Sequence, residues 1–522
     1  MVSRQMQLLS LLAVAHSVAA TITASQVKAA TTAASNVASK ACCLLLQAEL
    51  GSKISFPSAA AYEESVASYW SVQNNDIDPI CIVSPTATAD VSLAVGSLHA
   101  ASSFGLECPF AVRGGGHTPW AGAATIANGI VIDLSAMKQV SVSKDRTITS
   151  AGPGARWIDA YLMLDAMGLA ISGGRVASVG VGGLTTGGMV FVRGGMSFFA
   201  PRTGLVCDNV VNFEVVLADG AVVNANCEEN SDLWYALKGG SNNFGVVTRF
   251  DFQTFAQGDL WGGAIIYPSS TLPDQLAAFV NFTHSATYDP HASLINSFGY
   301  APAAGTTFVS NSLVYTAPVV NPPAFQQYTS IQPQFANTMR ISNLSDFALE
   351  LNANTPYGFR QLFYTGTYAN NLTLLTQLAA QLNESMQPVN GLASLNNYAM
   401  SLEPLPTTIT KWGPEKGGNA LGLDPSDGDL VLVLLGVTWG DEADDEIITN
   451  AVTDLFTKFD AFAASQSGLN PYLYLNYAYK TQKPIQSYGA TNVKKLQAAS
   501  KKYDPSGVFQ NLVPGGFKLF AS

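Results

Sequence analysis

The sequence predicts an α/β (α+β) protein of two or three domains, and three observations carry that expectation. Its 522 residues are too many for one compact core. Residues 79–256 alternate short strand-like runs with turns, whereas 258–470 change to longer apolar runs and an amphipathic helical pattern. The last fifty residues or so shift again, to an aromatic-rich alternation and a short helix. At 48% hydrophobic and 12% charged, the composition suits a well-buried fold and excludes disorder. The net charge of −11, with no basic block, argues against a nucleic-acid partner.

Taken in order, residues 1–20 read as a secretory signal. Arg4 supplies the positive start, Leu8 to Ala15 the apolar run and Val18-Ala19-Ala20 the small-residue cleavage site; a buried N-terminal helix is the plainer alternative. No later stretch reaches the roughly 18 apolar residues of a membrane span, so a secreted or vesicular protein with no membrane partner is expected. Residues 21–74 form an N-terminal segment, Ala/Ser/Thr-rich to about residue 40, either a loose lead-in or an exposed helix. Within 75–257, positions 211, 213, 215 and 217 are apolar and lead through Ala218-Asp219-Gly220 to a second run at 221–223, which predicts a hairpin. Glycines crowd 173–195 and 239–245, which suits loops lying against a ligand, with tight turns as the simpler reading.

In 258–470, Leu430 to Leu435 reads as a buried strand. Ile448, Val452, Leu455, Phe459 and Phe462 repeat at helical spacing, with Asp444, Asp445 and Glu446 at the positive end and Gly468 past the stop. Strands with covering helices predict a separate sheet-and-helix domain there. In 471–522, Tyr472 to Tyr479 predicts a strand, and Asn492 to Lys502 a helix stopped by Asp504-Pro505.

The six cysteines make no CxxC or zinc spacing, so no metal site is expected. One bridge from the 42/43 pair to Cys108 suits an oxidising compartment, and the remaining cysteines suit simple burial. Sequons at Asn281, Asn343, Asn371 and Asn383 agree with secretion, and their clustering predicts one exposed, glycosylated lobe.

The chemistry points to Arg113-Gly114-Gly115-Gly116-His117. Three consecutive glycines let backbone N–H groups approach an anionic ligand, beside one of only five histidines. Gly152-Pro153-Gly154 and Gly180-Val181-Gly182 lack the third glycine of a Rossmann fingerprint. P-loop, nucleophile-elbow and H-E-x-x-H motifs are also missing, so phosphoryl transfer, serine hydrolysis and zinc chemistry lose ground.

Several blocks together resemble the flavin domain of berberine-bridge-enzyme-like, FAD-linked oxidases. They are Ile82–Pro85, Phe110–Thr118, Ile132–Ser135, Val179–Gly183, Gly204–Val210, Gly239–Gly245, Tyr474–Tyr477 and Tyr503–Pro505 with Val508-Phe509. The resemblance implies a two-subdomain PCMH-type FAD-binding domain closed by the C-terminal segment, plus a substrate domain whose antiparallel sheet is covered by helices. It implies covalent attachment of FAD through His117 to the flavin 8α-methyl, with the 114–116 backbone cradling the pyrophosphate. It places Arg113, Thr118, Val179, Gly180, Gly183, Leu184, Gly187, Asp208, Val247 and Asn476 among the cofactor contacts, with a structural role as the alternative for Asp208, as for Arg202. Some members carry a second flavin bond through a cysteine at the position of Val176, so His117 is expected to make the only one. Valine at 179 goes with oxidase behaviour in the family, O2 reaching the flavin and leaving as hydrogen peroxide; a plain core valine is the alternative.

One departure interrupts the match. After Gly187-Gly188 the chain inserts Met189 to Gly194, which is either a substrate-shaping feature or a sequence error that spoils the site. Tyr474 is the first candidate base and requires a nearby positive charge to lower its pKa. Glu403 is the second, against the plainer reading of a solvated strand-end carboxylate, while Asn476 and Tyr477 position flavin or substrate. The leading expectation is a monomeric, secreted FAD-dependent oxidase that takes a hydride from a small alcohol or amine of secondary-metabolite type. A carbohydrate oxidase is the enzyme alternative, and an inactive flavin-binding glycoprotein the non-enzyme one.

Overall fold

The computed structural model describes residues 24–187 and 196–520. The expected signal segment and the Met189–Gly194 insertion lie outside these residues.

Among the described residues the strands form three sheets. In the first, Phe110–Arg113, Ile130–Asp133 and Cys81–Val83 run parallel, and Ile54–Ser55 adds an antiparallel edge. Parallel strands buried on both faces read as unbroken apolar runs, as Ile130, Val131 and Ile132 do. Phe110–Arg113 is an edge strand, so its carboxyl end delivers the glycine loop to the crevice where such sheets bind ligands.

The second sheet is antiparallel, in the order Val140–Val142, Ile148–Ala151, Val246–Ala256, Val210–Val216 and Val222–Asn226. Its last two strands are the hairpin expected from the alternation, turning through 217–221. Leu169–Ile171 pairs with the far half of Val246–Ala256.

The third sheet has nine strands drawn from residues 260–470, all pairing antiparallel. The helices Leu272–Thr283, Leu372–Met386 and Asp445–Ser465 cover one face. Leu378, Leu382, Val452 and Phe459 pack there against Leu294, Met400, Val433 and Val437. The opposite face carries Ser297, Ser401, Glu403 and Leu434 and turns toward the rest of the molecule. Leu430–Trp439 is therefore buried on both sides, which explains its uninterrupted apolar run.

Two local expectations change. The stretch 472–479 is not a strand: it threads between the third sheet and the glycine loops, with only a single turn at Leu475–Tyr477. Tyr472, Tyr474 and Tyr477 are all buried, so burial from every side, not strand pairing, accounts for the aromatic pattern. The Ala/Ser/Thr-rich stretch is helical from Ala24 to Leu50, and its C-terminal half packs through Cys42, Cys43 and Leu46.

That helix is fastened by two bridges. Cys42 joins Cys108, as expected, and Cys43 joins Cys81, which the spacing did not suggest. Adjacent helical residues point about 100° apart, so one cysteine reaches the 106–109 loop and the other the strand Cys81–Val83. Cys207 and Cys227 remain thiols. Non-reducing peptide mapping is expected to recover both cross-links, and Cys43→Ser to lower stability by about 2–4 kcal/mol in urea unfolding.

Candidate functional site

The glycine loop meets a second glycine turn backbone to backbone. A Cβ on Gly115 would lie 2.6 Å from the Gly180 Cα, and one on Gly180 would lie 2.6 Å from the Gly115 Cα. Gly114 and Gly182 approach the Pro153 carbonyl equally closely, at 3.1 and 3.0 Å from a built Cβ. A Cβ on Gly183 would meet nothing within 4 Å. The result is a wall of bare backbone facing a cleft.

The cleft encloses about 1200 Å³ between protein atoms, part of it open to solvent. Its lining includes Gly114, Gly115, Gly116, His117 and Thr118 from the first loop and Val179, Gly180, Gly183 and Leu184 from the second. Val247 and Phe250 come from the antiparallel sheet, and Asn476, Phe509 and Phe517 from the C-terminal segment. A side-chain-free wall for an anionic linker, beside apolar walls for flat rings, fits a dinucleotide such as FAD.

His117 sits at one end of the cleft, stacked on Trp70 with ring centroids 4.4 Å apart and meeting the Tyr357 edge at 6.2 Å. Its Nε2 lies 3.5 Å from Ser178 Oγ. Trp70 is itself tied to the loop, its backbone N–H donating to the Gly116 carbonyl at 3.0 Å. Burial, and then the positive charge of Arg156, push the His117 pKa down to about 3. The imidazole is therefore neutral at physiological pH and keeps a lone pair to bond with.

Three expected cofactor contacts are corrected. The Arg113 guanidinium turns away from the cleft, donating to Ser65 O at 2.6 Å and Ser68 Oγ at 2.7 Å, pairing with Asp133 at 3.3 Å and covering the Tyr69 ring. It braces the loop from behind, because an edge strand alternates its side chains and Arg113 points into the protein. Asp208 accepts from the Leu205 N–H and from Asn419, and so has the structural role. Gly187 does not line the cleft but packs against the Asn476 amide, where a side chain would collide. Val176 is wholly buried, and neither Cys207 nor Cys227 lines the cleft.

The candidate bases also separate. Tyr474 is fully buried, and its hydroxyl accepts from Asn476 Nδ2 at 2.9 Å. Burial, reinforced by Tyr477, pushes its pKa well above the ordinary value, so the lowering that a basic Tyr474 requires is not met. Glu403 is not a solvated strand-end carboxylate: it is buried, with Arg175 Nη2 donating to Oε2 at 2.8 Å and the Tyr477 hydroxyl to Oε1 at 2.8 Å. Three separate segments thus converge on one carboxylate. Arg175 and the base-side place of Tyr477 were missed from sequence, although an arginine inside the glycine-dense stretch and the second tyrosine of Tyr474–Tyr477 were visible signals. All four sequon asparagines are exposed, Asn343 and Asn371 also capping helices through their side-chain oxygens.

Residues 79–226 match the FAD binding domain family. The chain is 38% identical over 485 residues to the FAD-dependent monooxygenase sdcF of Emericella nidulans, covering 92% of this chain and 98% of that protein. It is also 38% identical over 502 residues to the FAD-dependent monooxygenase CTB5 of Cercospora beticola, covering 93% of each. Among solved structures, the BBE-like 1 protein of Physcomitrella patens superposes with a TM-score of 0.74 at 21% identity, covering 92% of this chain and 100% of that one. The glucooligosaccharide oxidase of Acremonium strictum, which carries a 6-S-cysteinyl, 8α-N1-histidyl FAD, gives 0.71 at 19% identity, with 92% and 100% coverage.

The depressed His117 pKa makes a pH prediction for flavin-free protein. The unfolded imidazole titrates near 6.5 and the folded one near 3, so stability is intact above 6.5 and is lost as pH falls toward 3. By about pH 4 the loss attributable to this group is about 3 kcal/mol. Urea unfolding is expected to show a shallower acid decline in His117→Gln than in the parent.

Proposed function

The chain belongs to the berberine-bridge-enzyme-like family of FAD-linked oxidoreductases, and from that premise we propose that it is a secreted oxidase that converts a small-molecule alcohol to its carbonyl. The observation that carries the reading is the buried Arg175–Glu403–Tyr477 cluster beside the cofactor cleft. Bound in the cleft, FAD would supply a hydride acceptor for the substrate C–H, with O2 as the final oxidant and hydrogen peroxide as its product.

The protein's own residues hold the cofactor and handle the proton. His117, neutral and clamped by Trp70, is the attachment point to the flavin 8α-methyl, and no cysteine offers a second bond at Val176. The 114–116 and 180–183 backbones hold the pyrophosphate. The substrate O–H proton goes to Tyr477 Oη, whose own proton passes to Glu403 Oε1 across the 2.8 Å hydrogen bond. Arg175 stays bonded to Oε2 throughout and fixes the carboxylate. Val179 lines the cleft with a small side chain and leaves room for O2. Secretion is supported by the two disulfides and the four exposed sequons, which are the glycan positions in this reading.

The relatives' names favour a second reading, in which an oxygen atom enters the product. Turnover under labelled O2 separates the two: an oxidase returns the label as peroxide and leaves the carbonyl unlabelled, whereas a labelled product sinks the oxidase reading. A denatured, acid-precipitated sample is expected to retain its yellow colour, and His117→Ala to release the flavin to the supernatant. Glu403→Gln is expected to lower kcat by about 10²–10⁴-fold with flavin retained, while Tyr474→Phe changes it less than about tenfold. The reverse order would return the base role to Tyr474.

A further inference from the structure

A second cavity, of about 1520 Å³ including its open mouth, lies on the face of the nine-stranded sheet opposite the covering helices. Its floor mixes serine hydroxyls with apolar side chains: Ser310 stands in register with Ser297 and Ile266, and Ser312 with Ile295 and Ala264. Across from the floor, the helix Leu344–Asn352 and the turn after it contribute Phe347, Leu351 and Pro356, together with Glu350 and Asn354, and Phe335 stands exposed at the edge.

The cavity lies next to the Glu403 cluster. Ser297 pairs in register with Ser401, their hydroxyls 2.8 Å apart, and Ser401 is two residues from Glu403 on the same face. At the Pro356 end, the next residue, Tyr357, meets His117.

Its chemistry is selective by what lines it. Among the described residues, no lysine, arginine or histidine lines it. Its one carboxylate, Glu350, is already held by Arg340 at 2.8 Å and by the Thr338 hydroxyl. An anionic substrate finds no counter-charge, and an ammonium finds a carboxylate already neutralised. Of its other polar groups, Asn397 Nδ2 donates to the Gly436 carbonyl and the Thr438 hydroxyl to Gln361, which leaves Asn354, Asn396 and a few hydroxyls for a ligand; a sugar, with a hydroxyl on nearly every carbon, would outnumber them and bury donors against Phe347, Leu351, Ile266 and Ile295. A flat apolar ring fits against Phe347, Leu351, Ile266 and Ile295, and its few oxygens find partners among the serine hydroxyls and the amides of Asn354 and Asn396.

Building on the oxidase reading above, we propose that the substrate is an uncharged, mainly apolar ring compound with few oxygen substituents, whose carbinol is presented to the Tyr477–Glu403 pair, and that Ser310 and Ser312 select it. This ranks sugars and protonated amines below uncharged rings among the substrate classes that the fold admits.

The test is equilibrium dialysis of the holoenzyme against naphthalenemethanol, naphthylmethylammonium, naphthoate and cellobiose. Naphthalenemethanol is expected to bind roughly tenfold or more tightly than each of the others. Ser312→Phe, which fills the floor, is expected to weaken it by about tenfold with flavin absorbance unchanged. If that variant fails to fold, Ser310→Val is expected to weaken it by several-fold. Equal or tighter binding of any charged probe or of cellobiose, or no binding of naphthalenemethanol, overturns the proposal, as does binding indifferent to whichever variant folds. The expected order without peroxide formation would leave the substrate class standing and sink the oxidase reading, whereas peroxide from cellobiose would do the opposite.

Discussion

Gly115 and Gly180 come so close that neither can carry a side chain: a Cβ on either would fall 2.6 Å from the other's Cα. That contact joins a loop from the parallel sheet to a turn 65 residues later and shapes the bare-backbone wall of the cleft. Everything near it is arranged to keep the two loops pressed together. Arg113 braces the first from behind through Ser65, Ser68 and Asp133. Trp70 clamps it from the side by a backbone hydrogen bond and by stacking on His117. The Trp157 N–H, donating to the Val179 carbonyl, anchors the second. The site is thus pre-formed by packing that lies outside it.

A second junction joins parts that are remote in sequence. Arg175 comes from the glycine-dense stretch, Glu403 from the nine-stranded sheet and Tyr477 from the C-terminal segment. A fully buried ion pair adds little net stability, because desolvation offsets most of its Coulombic gain. What it contributes is position: one donor on each oxygen holds the carboxylate in place. Burial, reinforced by Tyr477, raises the Tyr474 pKa. Two tyrosines three residues apart therefore differ in surroundings: one has a carboxylate partner and the other an amide.

The two faces of the large sheet divide the work. Helices bury one face in a conventional apolar core. The other is shared between packing against the cofactor-binding part and a cavity partly floored with serines. Strand alternation lets one sequence serve both, since residues two apart stay on the same side.

Much of this was legible in the residues alone. The hairpin near 210–226, the strand from Leu430, the helix of Asp445–Ser465 and the glycine loop ending in His117 all follow from local pattern, because period, turn chemistry and missing side chains act over a few residues. The ordered blocks pointed to the cofactor for the same reason. What the sequence could not assign was direction and partnership. Arg113 belongs to the loop motif yet faces away from the cleft, and Asp208 belongs to another block yet holds a turn. Glu403 read as solvated until the sheet buried it against Arg175, and the 472–479 alternation was that of a threaded segment instead of a strand. Those outcomes depend on contacts across some 20 to 230 residues of chain, such as Arg113 with Asp133 and Arg175 with Glu403. Local periodicity determined which elements form and that a bare-backbone loop meets a histidine; only the packing of distant segments decided which charged side chains face the cleft, because burial and partner choice are set by neighbours that the local sequence does not contain.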